Sequence, residues 1–418
     1  MKAKRLAETL LLSALFLSLA TGKWGSWIGI PNHHIFLFDL LFISGCFIAA
    51  ISGPIKADRH SLLSVLVLLY CAIEFLSSNG YSVQLRLRDL APFIYLAFVP
   101  LIIKALENLK MRRFISCIRW ASVLNAIWAN LVSLGLIHEI TCANFCGVPI
   151  FAARTDHSSM VFAIGIIAWA DFPRYQQKGN YFALVFLLVS SVLNHSRAGL
   201  LAVLFAVLVV LAIVLRDRGI RTRTTSRFLL TVLIIFPAVA IFLPAARLLP
   251  SDSAISRAFS PSIILEISGT QSGTARARIE AQSLLLHWVS ERNEMIFGVG
   301  PGTEMVLDSG AVRDLSGQPD VRSPHSWPIG AISRFGVFGF ILWLSILLIH
   351  MRRKAGSQNY RRTLANSFTI CILIVSLFGV IIESPFGSLP LAIFLGLAAR
   401  EVNETEFVPL RRSLGASG

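Results

Sequence analysis

Charged residues are scarce in this sequence. Only 15% of its 418 residues are Asp, Glu, Lys or Arg, whereas 55% are hydrophobic. A typical soluble domain carries about 25% charged residues, so this composition excludes an ordinary soluble protein. Apolar runs of nearly twenty residues recur along the chain, and each is long enough to span a bilayer core. The sequence therefore predicts an all-α polytopic membrane protein.

Several familiar catalytic signatures are also missing. The sequence contains neither an HExxH motif nor another pairing of histidines and carboxylates at metal-ligand spacing. A GxSxG elbow, a Walker sequence and a dinucleotide fingerprint are absent as well. We therefore expect no metal and no cofactor.

Cysteine is sparse, with six residues in the whole chain. Four fall in apolar runs, where we expect small packing residues: Cys46, Cys71, Cys117 and Cys371. Cys142 and Cys146 lie four residues apart in a loop. They form a disulfide or remain a free pair, and a disulfide requires that the loop face an oxidising compartment.

Twelve apolar runs are predicted to cross the membrane. They lie at about 6–22, 34–52, 61–79, 91–107, 114–135, 158–172, 181–195, 198–215, 228–246, 329–350, 364–383 and 385–400. We expect the first of them to be a retained span rather than a cleaved signal peptide.

Basic residues concentrate in alternate short loops, which is the positive-inside pattern. The basic loops are 53–60, 104–113, 173–180, 216–227 and 351–363. This pattern predicts that these loops and both termini are cytoplasmic. It also explains the formal net charge of +15 without a nucleic-acid partner.

One outer loop, at about 247–328, is much longer than the others. It separates a membrane region at 1–246 from a second one at 329–400, which is followed by a cytoplasmic tail at 401–418. Inside the loop, RARIEAQSLLLHWVS (276–290) has helical composition and predicts a helix at the membrane surface. The turn-rich stretch FGVGPG (297–302) follows it.

Arginines on the predicted outer face have little topological reason to be there. Arg197 lies in NHSRAG, Arg86 and Arg88 lie in QLRLRD, and Arg276 and Arg278 lie in TARARIE. One interpretation is an interfacial anchor. The other is an anion site, since a guanidinium group matches phosphate oxygens. At the start of a helix, positive charge opposes the helix dipole, which favours an anionic ligand for the TARARIE pair.

A histidine lies at the mouth of a predicted span, in SPHSWPIG (323–330). His325 is either a solvated loop residue or a group that transfers protons near neutral pH. Pro324 and Pro328 restrict the backbone on both sides of it. The ring position is therefore expected to be nearly fixed.

Taken in order, these motifs resemble the O-antigen ligase and polymerase superfamily of membrane glycosyltransferases. NHSRAGLLAVL is similar to the family's Ser-Arg-x-Gly stretch, and RIEAQSLLLHWVSERNEMIFGVGPG to its arginine-led surface helix and glycine turn. PHSWPIGAISRFGVFG resembles its Pro-His-Asn element, with Gly336 and Gly339 at the expected spacing. Ser326 stands where the family usually has Asn, and the segment between Arg278 and Gly298 is slightly longer than usual.

The resemblance implies a GT-C-like fold of about twelve helices in the bacterial inner membrane, with the active site on the periplasmic side. It implies transfer of a glycan from undecaprenyl diphosphate to an acceptor, and we favour ligation to lipid A–core. The alternative is a polymerase of the same superfamily. His325 would activate or orient the acceptor hydroxyl. The diphosphate would be neutralised by arginines: Arg197 and Arg278, assisted by Arg276, Arg86 and Arg88.

A polysaccharide or lipid transporter is a less favoured alternative. Transporters place polar groups near the membrane midplane, in broken helices. Here the charges inside predicted spans are few, and the main ones lie singly or near span ends: Asp39, Glu74, Arg119 and Glu383.

Overall fold

The computed structural model of this protein describes most of the chain. The described residues are 2–22, 29–30, 35–55, 57–78, 80–134, 136, 155–170, 178–194, 196–216, 274–311, 322–352 and 360–400. The predicted span at 228–246, the pair Cys142 and Cys146, and the tail at 401–418 lie outside the described residues.

The described residues are mainly helical, which confirms the predicted all-α class. The helices are α1 Lys2–Thr21, α2 Leu37–Ile51, α3 Arg59–Ser77, α4 Val83–Ala97, α5 Val99–Ala105, α6 Met111–Ser133, α7 Thr155–Trp169, α8 Tyr181–Leu193, α9 Arg197–Arg216, α10 Thr274–Glu291, α11 Met305–Asp308, α12 Trp327–Met351, α13 Tyr360–Ser376 and α14 Pro385–Ala399. Two short strands, β1 Gly29–Ile30 and β2 Ile35–Phe36, pair antiparallel just before α2.

Among the described residues, three helices are long and apolar enough to cross a membrane: Arg59–Ser77, Met111–Ser133 and Trp327–Met351. Four shorter apolar helices accompany them: Leu37–Ile51, Tyr181–Leu193, Ala198–Ala212 and Pro385–Ala399. The count of twelve spans and the sidedness of the loops stay predictions.

Helices α7 and α14 occupy the centre of the bundle. Every side chain from His157 to Ala168 is buried, and so is every side chain from Phe386 to Ala399. Helix α7 packs against α6, α8, α9 and α13, and α14 packs against α1, α5 and α13. A helix that is apolar on all sides belongs in such a surrounded position.

The segment predicted as one span at 91–107 is two helices, and α4 begins at Val83. The Ser82 hydroxyl accepts a hydrogen bond from Leu85 N at 3.3 Å and caps the earlier start. QLRLRD therefore lies in the first turns of a helix, which corrects the prediction that it is a loop.

The span predicted at 364–383 also ends early, because α13 stops at Ser376. Residues 377–384 form a turn that leads into Pro385, the first residue of α14. Proline suits the first position of a helix and disfavours helical geometry in the residue before it. Glu383, predicted inside a span, therefore lies in this 377–384 turn.

The four cysteines predicted to pack in apolar runs do so. Cys46, Cys71 and Cys371 are buried, and all four are free. The thiol of Cys117 donates to the carbonyl of Leu12 at 3.5 Å.

Candidate active site

The helix predicted between 276 and 290 is present as α10. Its buried side chains recur every four residues, at Ala281, Leu285 and Val289. They pack against a small separate core formed by Met305, Val306 and Ala311. This stripe fixes α10 on the segment that follows it in the chain. Its location at the membrane surface stays a prediction.

The glycine-rich turn after α10 is bonded to a break in α12. Gly336 has φ +67° and ψ 178°, so the helix is interrupted there. The freed carbonyls of Ser333 and Arg334 accept from Val299 N and Gly300 N, both at 2.9 Å. Gly298 and Gly300 also have positive φ, at +80° and +86°.

Beyond the break, Val337 N donates to the Met295 carbonyl at 2.9 Å and Phe338 N donates to the Ile296 carbonyl at 3.1 Å. All four main-chain bonds join residues 295–300 to residues 333–338. The predicted glycine turn and Gly336 therefore form one joint between residues 295–300 and α12.

His325 lies two residues before the start of α12 in a left-handed backbone conformation, with φ +55°. A non-glycine residue in this region costs on the order of 1–3 kcal/mol, and such residues cluster at functional sites. The preceding Pro324 carbonyl accepts a hydrogen bond from Gln282 Nε2 of α10 at 3.2 Å. The predicted catalytic histidine is thus partly exposed beside α10, in a conformation that its surroundings must impose.

A buried network of four charged side chains lies next to the segment that carries His325. Arg334 Nε is 3.3 Å from Asp89 Oδ2, and Arg334 Nη1 is 3.1 Å from Glu383 Oε2. Arg322 Nη2 is 3.2 Å from the same Asp89 oxygen. The side chain of Arg334 is only 2% exposed. Two arginines thus balance two carboxylates, as buried charges require.

This charge network holds the residues just before His325. Ser323 Oγ donates to Glu383 Oε1 at 2.7 Å, and Arg334 Nη2 donates to the carbonyl of Arg322 at 2.6 Å. Together with the bond to Pro324, each residue from 322 to 324 has a fixed contact. The network therefore positions the backbone that presents His325.

Arg322 is only partly enclosed, with 13% of its side chain exposed. Burial lowers the pKa of its guanidinium, and the Asp89 carboxylate acts in the opposite direction. Its Nη2 also donates to the carbonyls of Gly302 and Thr303, at 3.2 and 3.4 Å. Arg322 therefore connects the glycine turn to the segment that carries His325.

The two arginines of QLRLRD lie in different surroundings. Arg86 is buried, its Nη1 donates to the Phe75 carbonyl at 2.6 Å, and its guanidinium lies 4.1 Å from the Phe75 ring centroid. Arg88 is exposed. Arg86 thus has a fixed internal contact, whereas Arg88 faces outward one residue before Asp89.

The two arginines of TARARIE also differ in their contacts. Arg276 Nε pairs with Glu280 Oε1 one helical turn further on, at 2.5 Å. Arg278 is exposed, and its Nη1 approaches the carbonyl of Phe378 at 3.3 Å. Arg278 therefore lies against the 377–384 turn and is exposed.

Arg197 is the first residue of α9, and its side chain lies outside the described part of the structure. The adjacent Ser196 hydroxyl donates to Asp156 Oδ1 at 3.1 Å and accepts from Gly199 N at 3.1 Å. The Asp156 carboxylate in turn lies against Gly379, where an added Cβ would meet Oδ2 at 2.8 Å. The start of α9 is therefore fixed next to the 377–384 turn.

The 377–384 turn is where the predicted site elements meet. It contacts Arg278 through Phe378 and the His325 segment through Glu383. Its Gly379 lies against Asp156, which accepts from Ser196 just before α9. Sequence reasoning missed Asp89, Arg322 and Arg334. A signal existed for Arg334, because a charged residue inside an apolar run usually marks a functional pair.

Comparison with known families identifies a match over residues 182–344, to the family described as O-antigen ligase. This stretch runs from α8 into α12 and includes Arg197, Arg278 and His325. It does not include Arg86, Arg88, Asp89 or Glu383. No protein in the curated collection of known proteins matches the chain.

Proposed function

We propose that this chain, a member of the O-antigen ligase-like superfamily of membrane glycosyltransferases, transfers a glycan from undecaprenyl diphosphate to lipid A–core. The reaction takes place at the periplasmic face of the inner membrane. The observation that carries the proposal is the meeting of Arg278, the start of α9 and the His325 segment at the 377–384 turn. All three lie in the stretch that matches the family.

The reaction joins two substrates that are both anchored in the membrane. A hydroxyl oxygen of the acceptor attacks the anomeric carbon of the donor sugar, and the bond between that carbon and the diphosphate oxygen breaks. Undecaprenyl diphosphate leaves with the electron pair, and the acceptor proton passes to His325. The left-handed turn presents the imidazole at the mouth of α12, where a periplasmic acceptor meets a membrane-held donor.

The leaving group needs positive charge as the bond breaks. An arginine supplies two parallel N–H donors to phosphate oxygens, and donors fixed in advance stabilise charge that develops in the transition state. Arg278 is exposed and therefore free to contact a ligand, and Arg197 begins the helix on the other side of the same turn. In this proposal these two residues hold the diphosphate.

The remaining predicted arginines have smaller roles in the proposed reaction. Arg276 already pairs with Glu280, and Arg86 is fixed on Phe75, so both assist the diphosphate site rather than hold the diphosphate directly. Arg88 is exposed beside Asp89 and is available to a substrate phosphate. Guanidinium groups can do the charge work that a divalent ion does in other transferases, so we expect transfer to continue in the presence of a chelator.

Two charges inside predicted spans bear on the transporter alternative. The Asp39 carboxylate accepts hydrogen bonds from the Tyr95 hydroxyl and from Phe36 N. Arg119 donates to the carbonyls of Ala168 and Ala170, at 2.7 and 3.0 Å. These charges are held by fixed internal partners, which supports a structural role for them rather than a transport path.

A deletion strain separates ligation from polymerisation. In the ligase case, lipid A–core loses its long chains on polysaccharide gels while lipid-linked polymer is retained. If lipid A–core instead carries products with a single repeat, the chain is a polymerase. Unchanged polysaccharide in the deletion strain would reject both activities. Reintroduction of the intact gene is the control.

A further inference from the structure

An open cleft lies next to the glycine turn, on the outer-loop side of the charge network. Its volume is about 360 Å³. The lining side chains are Tyr81, Trp288, Arg292, Val299, Thr303 and Asp308. Most of this lining is polar, and the mechanism proposed above uses none of these side chains.

The cleft combines two aromatic rings with groups that form strong hydrogen bonds. Tyr81 is 40% exposed and Trp288 is partly buried against the small core. The Arg292 guanidinium lies 4.9 Å from the Trp288 ring centroid, and Asp308 is exposed at the end of α11. An aromatic ring offers an apolar face, on which the C–H face of a pyranose ring packs. Carboxylate and guanidinium groups bind its hydroxyls.

Other ligand classes fit the cleft less well. A lipid chain needs an apolar lining, which this cleft lacks. A phosphate needs unopposed positive charge, but Arg292 Nε is 3.1 Å from Glu294 Oε2, and Asp308 adds a further negative charge. A neutral or mildly charged carbohydrate satisfies both the rings and the mixed charges.

The cleft is joined to the His325 segment by short contacts. Gly302 lies against the Tyr81 side chain, where an added Cβ would meet Tyr81 Cβ at 2.6 Å, and Gly302 N donates to Asp89 Oδ2 at 2.9 Å. Thr303 lines the cleft, and its carbonyl accepts from Arg322. Arg322 is three residues before His325, so a sugar chain bound in the cleft leads toward the candidate active site.

We propose that this cleft is a carbohydrate subsite that binds sugar residues of a glycan substrate, with Trp288 as the stacking platform. This inference rests on the proposed function, since it assigns a glycan-binding subsite to that same transferase. The bound sugars belong either to the donor glycan or to the acceptor oligosaccharide.

Steady-state kinetics of the purified full-length protein test the subsite. Trp288→Ala removes the platform, and we expect the KM for one glycan substrate to rise about tenfold, with kcat within about twofold of the unaltered protein. Trp288→Phe keeps a ring and should restore most of the affinity. Leu284→Ala, at an exposed position of the same helix, is the matched control. The substrate whose KM rises identifies the source of the bound sugars.

Asp308→Asn provides a second variant at an exposed position, in case Trp288→Ala fails to fold. It should raise the same KM, because it weakens a hydrogen bond to a sugar hydroxyl. An unchanged KM in Asp308→Asn, together with an unchanged KM in any folded Trp288→Ala protein, would overturn the subsite.

A binding measurement separates this inference from the proposed function. The probe is a water-soluble oligosaccharide released by mild acid from the host's surface polysaccharide, and saturation-transfer NMR detects its contact with the purified protein. Binding that Trp288→Ala or Asp308→Asn abolishes would support the subsite even if the unaltered protein transferred no glycan. Binding that survives both changes, or no binding by a protein that is active in transfer, would contradict it.

Discussion

Arg334 and Glu383 form a buried salt bridge, with 3.1 Å between Nη1 and Oε2. One residue lies in the first part of α12 and the other in the 377–384 turn. Through this bridge the turn that touches Arg278 is fixed to the helix that begins two residues after His325. The bridge therefore connects the two halves of the proposed transferase, the group that accepts the proton and the groups that hold the diphosphate.

Removal of Arg334 should destabilise the protein strongly. Arg334→Met leaves the Asp89 and Glu383 carboxylates without this partner, and breaking a buried pair from one side costs about 3–5 kcal/mol. Glu383→Gln should cost less, because its amide still accepts from Ser323. Arg88→Met, at an exposed position of α4, is the control. Thermal unfolding in detergent compares the unfolding midpoints of the three variants. Equal midpoints for Arg334→Met and Arg88→Met would contradict the network.

The break in α12 should tolerate no side chain at Gly336. A Cβ there would collide with the Ile296 carbonyl, which accepts from Phe338 N. Gly310 is the matched control, since it also has positive φ, at +76°, but has nothing within 4 Å of an added Cβ. Gly310→Ala should cost only about 1–2 kcal/mol for the backbone conformation.

We therefore expect Gly336→Ala to lower the unfolding midpoint and the transfer rate by much more than Gly310→Ala lowers them. Similar effects of the two substitutions would mean that the collision with the outer loop is unimportant. The joint between residues 295–300 and 333–338 would then not position the site.

The diphosphate role of the arginines predicts that lysine cannot replace them. Arg197→Lys and Arg278→Lys should lose nearly as much activity as the alanine variants, because an ammonium group lacks the planar pair of donors. Arg113→Lys is the control, since an exposed arginine that pairs with Glu8 should accept lysine. Near-normal transfer by Arg197→Lys at equal protein level would indicate an interfacial anchor instead.

The predicted orientation places residues 216–227 inside the cell and 247–328 outside. In a cysteine-free background, a membrane-impermeant thiol reagent should label Glu304→Cys in intact spheroplasts and should leave Arg221→Cys unlabelled until the membrane is opened. Labelling of Arg221→Cys in intact spheroplasts would overturn the orientation, and the proposed periplasmic site with it.

The sequence predicts the helical class and α10 well, because apolar runs and a helix-forming composition are local patterns. It predicts helix ends less well: a cap at Ser82 begins α4 early, and a turn before Pro385 ends α13 early. The segments with His325 and Arg278 were identified from local motifs as candidates, and their roles in the site stay predictions. The partners of Arg334 were not, because Asp89 and Glu383 lie far away in sequence and only the folded chain brings them together.

The initial rate of glycan transfer by purified His325→Ala tests the central claim most directly. With lipid-linked donor, lipid A–core and a chelator present, we expect transfer to slow by about 10² to 10⁴ while donor binding is retained through the arginines. His287→Ala, which removes an exposed histidine of α10, should transfer at the normal rate. His325→Gln keeps a hydrogen bond but cannot act as a base near neutral pH, so full activity in that variant would leave only an orienting role. Full activity in His325→Ala would contradict the account.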